Sequence, residues 1–152
     1  MRKMVITLGA TLTLLGAYRV GRAHEDSHHL PAGPIRERHE LMEGIGKSAK
    51  AIGEALKSGD LKPVAGAATD IQARAEKILP LFPLGSLHKK SRAKPEIWSN
   101  WAKFESTAKK LQADAGALAA TTKSGGDVVA AAKTMFSNCK SCHDQFRVPD
   151  KK

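Results

Sequence analysis

Near the end of a 152-residue chain, Cys139, Cys142 and His143 stand in the order Cys139-Lys140-Ser141-Cys142-His143, and the chain holds no other cysteine. On a helix, residues three apart share a face about one turn apart. Two thiols so placed can each add to one vinyl group of the same porphyrin. His143, four residues after Cys139, brings an imidazole beneath the ring that the two thioethers hold. Cys-x-x-Cys-His is the attachment sequence of c-type haem. The first expectation is therefore one haem c, attached through Cys139 and Cys142, with His143 as the proximal iron ligand.

Other chemistries use the same residue types. A structural zinc site takes four ligands, and no second cysteine pair is present; His24, His28, His29, His39 and His88 show no ligand spacing with Cys139. A thiol–disulfide oxidoreductase places Cys-x-x-Cys at a helix start after a strand. Here the pair lies deep in a helical stretch that follows Gly125-Gly126.

The N-terminus adds an independent argument. Arg2 and Lys3 precede a mainly apolar stretch from Val5 to Ala17, and Gly21-Arg22-Ala23 offers small residues at a signal-peptidase cut. The stretch is shorter than the roughly 20 apolar residues a transmembrane helix needs. Residues 1–23 therefore read as a signal peptide cut after Ala23, which puts the protein in the periplasm; membrane association is expected only if the signal stays uncleaved. Bacterial covalent haem attachment takes place outside the cytoplasm, so export and the haem motif agree. Removing residues 1–23 takes away four basic residues and no acid, lowering the net charge from +10 to +6. The lysines are scattered from Lys47 to Lys152, which is a solvated basic surface rather than a nucleic-acid footprint.

Four helical stretches must position the motif. The first follows Pro31-Ala32-Gly33-Pro34 and carries Ile35, Leu41, Met42, Ile45, Ala49, Ile52 and Leu56 at steps of three and four. The second, about Pro63 to Leu79, has Val64, Ala67, Ala68, Ile71, Ala75, Ile78 and Leu79 as its stripe and ends at Pro80 and Pro83. Leu81 to Ala93 reads as a surface crossover with a basic run at Lys89-Lys90-Ser91-Arg92. The third starts at Lys94-Pro95 and runs through Ile97, Trp98, Trp101, Phe104, Ala108, Leu111, Ala115 and Leu118; the fourth, capped by Asp127, carries Val128, Val129, Ala132, Met135, Phe136, Cys139, Cys142, His143 and Phe146. The expected fold is all-α, an antiparallel four-helix bundle over residues 35–148 with the haem near the C-terminal helix, between a lead at 24–34 and a tail at 149–152.

Several segments in this order resemble the class II c-type cytochromes, which include cytochrome c′ and its low-spin, Met-ligated relatives. They are Arg38-His39-Glu40-Leu41-Met42, Leu81-Phe82-Pro83-Leu84-Gly85-Ser86, Ala93-Lys94-Pro95-Glu96-Ile97-Trp98, and Cys139 through Arg147. The resemblance implies a four-helix bundle, Arg38 beside a haem propionate, Met42 facing the iron opposite His143, and Arg147 as the basic residue near the proximal histidine. Residues four apart share a helix face, so Arg38 and Met42 suit such a pairing.

The sixth iron position separates two functions. With Met42 sulfur on the iron, Met/His ligation raises the potential and describes a soluble electron carrier, the expectation taken here. With Met42 only packed over the ring, a small apolar distal pocket binds nitric oxide or carbon monoxide instead. No Ser/His/Asp order, phosphate loop or carboxylate pair points to an enzyme. Expected partners are redox proteins of the periplasm, with acidic ones favoured by the basic surface. Both monomers and homodimers suit the resemblance.

Overall fold

The computed structural model describes residues 30–149. The signal segment 1–23 with its cut after Ala23, residues 24–29 of the lead, and the tail beyond Pro149 lie outside the described residues. Five helices carry the fold: α1 (Pro34–Ser58), α2 (Val64–Ala75), the single turn α3 (Glu96–Ser99), α4 (Trp101–Ser124) and α5 (Val128–Phe146). Among the described residues the only strand-like feature is an isolated antiparallel bridge between Ala93 and Arg147.

Local chemistry sets the helix ends. Pro34 opens α1, where its missing N–H costs nothing, and Gly59 ends it with φ 77°, a left-handed conformation that suits a residue without Cβ. Gly125 ends α4 with φ 75°. The carboxylate of Asp127 accepts from Ala130 N at 2.9 Å and caps α5, as its position in the sequence suggests.

The helices differ from the sequence expectation in two places. The second stops at Ala75 rather than Leu79, because the following bonds shorten to three residues: Lys77 N–H to Arg74 O (3.0 Å) and Ile78 N–H to Ala75 O (3.2 Å). A 3-10 turn at Leu79–Leu81 then accommodates Pro80. The third stretch is not one helix but two, broken at Asn100 (φ −123°, ψ 42°). The turn before the break is held by outside partners: Trp98 Nε1 donates to the Phe82 and Pro83 carbonyls, both at 3.1 Å.

Packing runs in the order α1, α2, α4, α5. Ile52, Val64, Ile71, Leu118 and Met135 are fully buried between them, each apolar side chain stabilising the fold by about 1.5–3 kcal/mol. The outer pair, α1 and α5, has almost no close backbone contact, so their facing sides form a seam along the bundle. Up-and-down topology places the first turns of α1 and the last turns of α5 at one end, and the crossover between Ala75 and Glu96 spans that end.

Candidate haem site

The sequence places Cys139, Cys142 and His143 in the last two turns of α5. Both cysteines are half-buried, packed against the core, and free of any disulfide. Burial pushes the Cys142 thiol up to about 11, with the neighbouring Cys139 adding to the effect. Cys139 is raised as well, chiefly by burial and secondarily by the charge of Asp114. His143 is exposed on α5. Among the described residues no three His, Cys, Asp or Glu side chains lie close enough to hold a metal ion between them.

Across the seam, α1 contributes Arg38 and Met42, one turn apart. Met42, like Phe136, Cys139 and Cys142, is apolar yet only half-buried, packed on the core from its edge. Arg38 is 4% exposed. Its Nη1 donates to Ser86 Oγ (3.0 Å), and its Nη2 to Ser86 O (2.8 Å) and Ser91 Oγ (2.9 Å). Its carbon Cζ lies 4.8 Å from the centroid of the Phe82 ring. All these partners are neutral. Burial without a counter-charge pulls the guanidinium below its usual range. A buried cation held only by neutral oxygens suits an arriving carboxylate, and a haem propionate is one.

The crossover ties the two sides together. From Arg38 on α1 it passes through Ser86 and Ser91 to Ala93, which bridges Arg147, four residues beyond His143. Lys94 N–H donates to Phe146 O (2.9 Å) and Val148 N–H to Arg92 O (2.8 Å). Lys94 Nζ donates to the Asp144 and Gln145 carbonyls, satisfying acceptors that the end of α5 leaves unpaired. Beneath the strap, Phe104 stacks edge-on with Phe82 (4.8 Å between centroids) and Phe146 (5.3 Å).

Sequence reasoning thus read Arg38 and Met42 as neighbours on α1 and the motif as one face of α5, and the fold brings the two faces to one end. It missed Ser86, Ser91 and Phe82 as partners of Arg38, and took the crossover for surface alone. Phe82 is in fact buried. The alternation of Leu81, Phe82 and Leu84 with prolines was the one available signal. The donor set fits a covalently held haem: two half-buried thiols, a histidine one residue on, a thioether across the seam, and a buried uncompensated cation.

Comparison with known proteins gives a consistent answer. The family described as Cytochrome C' matches residues 33–147. A cytochrome c-556 from Agrobacterium tumefaciens is 36% identical over 121 residues, covering 77% of this chain and 98% of the relative. A cytochrome c′ from Rhodopseudomonas palustris is 33% identical over 117 residues, covering 74% and 80%. Among solved structures, a cytochrome c′ from Rhodopseudomonas palustris superposes with a TM-score of 0.70 at 29% identity, over 80% of this chain and all of the other (100%).

Proposed function

The chain belongs to the cytochrome c′ family, and from that premise we propose that it is a soluble electron carrier whose iron is held by His143 and Met42. Membership brings one covalently bound haem c, for which the chain has a single pair of cysteines. When bound, that group supplies a one-electron ferric/ferrous couple.

The residues of the chain set the conditions for that couple. Cys139 and Cys142 form the thioethers, and His143 ligates from the α5 side. Arg38 balances a propionate with a charge that its serine partners leave uncompensated. The observation that carries the carrier reading is Met42, a half-buried thioether on α1 at the end of the bundle where α5 presents His143. Methionine sulfur on the iron favours the reduced state, and a rigid bundle keeps both ligands in place through the change of charge. Residues 1–23 serve as the export signal and the periplasm as the working compartment. A basic surface fits redox partners that are acidic.

Spectroelectrochemical titration of the holoprotein tests this. The expected result is one reversible one-electron wave that saturation with carbon monoxide leaves unmoved. A wave displaced by carbon monoxide would instead support an open sixth position and gas binding.

A further inference from the structure

The crossover does more than cover the site. Its two turns are both closed by serines that hold Arg38. In the first, Ser86 N–H donates to Pro83 O at 3.1 Å and Gly85 adopts φ 80°, which puts Leu84 at the outward corner. In the second, Ser91 N–H donates to His88 O at 2.8 Å, with Lys89 and Lys90 at the corner. One buried guanidinium thus anchors an apolar tip and a basic tip next to each other. Leu84 is 87% exposed and lines an apolar cleft of about 370 Å³ with Pro80, Pro83, Trp98 and Trp101; Leu87, three residues on, is 49% exposed. Because Leu84 itself lines that cleft, the exposed apolar surface is a contiguous patch rather than one scattered side chain.

Charge selects the occupant. Residues 77–95 carry Lys77, Lys89, Lys90, Arg92 and Lys94 and no acidic residue. A second copy of this basic chain gains less from that surface than an acidic protein does. The strap also reaches α5 through Ala93 and Arg147. A protein seated on it therefore lies over the end of the bundle that holds Met42 and His143.

We propose that the outer face of the crossover, with Leu84 and Leu87 beside Lys89 and Lys90, is the docking surface for an acidic redox protein. This rests on the electron-carrier reading. Exchange across it moves one electron: the partner's reduced centre is oxidised, the ferric iron is reduced, and no bond or proton moves. Lysines steer the encounter, the leucines and the cleft hold it, and the pre-formed turns lower the ordering cost on binding.

Oxidised flavodoxin, an acidic one-electron protein, serves as the probe for oxidised holoprotein at low ionic strength, so binding is read without turnover. Calorimetry should show at least tenfold weaker binding for K89E/K90E and threefold or more for L84S/L87S. Carbodiimide cross-linking followed by mass spectrometry should join flavodoxin carboxylates to Lys89 or Lys90. Affinities within twofold of wild type in both variants, or cross-links confined to the α4–α5 lysines Lys103, Lys110 and Lys133, overturn the proposal. So does sedimentation showing that the same four substitutions abolish self-association instead, which would assign the face to a second copy. In each of these cases a reversible one-electron wave at an electrode leaves the carrier reading standing. Loss of that wave is what removes the reading itself.

Discussion

Replacing Arg38 by leucine separates two roles that the structure combines. The guanidinium makes three hydrogen bonds to Ser86 and Ser91 and lies over Phe82. Each bond from a charged donor stabilises by about 1.5–3 kcal/mol, and the ring contact by about 1 kcal/mol. Burying the charge costs several kcal/mol, on the same scale as those gains together, so the net strap contribution is small and is taken as on the order of 1 kcal/mol. The serines are half-buried and can turn to water once Arg38 is gone. A propionate paired with Arg38 adds about 2–3 kcal/mol, because its loss strands one partly buried carboxylate. Haem is covalent in both folded and unfolded chains, so it cancels as a ligand. Urea unfolding of holoprotein R38L should therefore show a loss of about 3–4 kcal/mol at pH 7, a midpoint shift of about 2 M for a slope of about 2 kcal/mol/M.

The pH dependence isolates the propionate. Pairing lowers its folded pKa, so its contribution is complete above the unfolded value and disappears as pH falls through the folded one. The difference between wild type and R38L should begin to shrink only near pH 4, the ordinary carboxylate range, and approach about 1 kcal/mol about two pH units lower, because about 2–3 kcal/mol corresponds to about two pKa units. Serine hydroxyls do not titrate there. A difference of about 1 kcal/mol that stays constant from pH 7 down to about pH 2 would refute the propionate role and leave Arg38 as a strap anchor only.

Other regions carry separate expectations. The Arg74 guanidinium, donating to Asp70 at 2.7 Å, and then the Ser48 hydroxyl at 2.6 Å hold the Asp70 carboxyl below the usual range. That lowered pKa contributes stability above the ordinary carboxylate value and loses it as pH falls through the folded value. Asp70→Asn should therefore flatten the acid side of the stability profile, with less than about 1 kcal/mol lost at pH 7 because the pair is solvent-screened; urea midpoints at pH 7 and pH 3 check this. Asp127→Ala removes the cap on Ala130 N and should cost about 1 kcal/mol in thermal unfolding, while Asp127→Asn retains most of it.

How much of this could be read from the sequence depended on range. The haem motif is local, three and four residues along one helix, and so is the α1 pair Arg38 and Met42. The stripes of α1, α4 and α5 were equally legible because burial on one face imposes the helical period. The break at Asn100 was not, since Ile97, Trp98, Trp101 and Phe104 keep helical spacing across it. The partners of Trp98 beside the break, the Phe82 and Pro83 carbonyls, come from the crossover and carry no local signal. Ser86 and Ser91 were missed for the same reason: they meet Arg38 from 48 and 53 residues away. Asn138, buried with its amide on Thr107 O at 3.2 Å, is a third case, a polar residue inside a helix whose partner only the packing of α4 on α5 reveals.

The central claim is that Met42 and His143 hold the iron of a single covalent haem. The absorption spectrum of reduced holoprotein, expressed with its haem-attachment machinery and compared with its Met42→Ala variant, tests it most directly. A sharp low-spin alpha band that the variant loses is the expected result. A broad high-spin spectrum in the wild type, shifting when carbon monoxide is added, would contradict it.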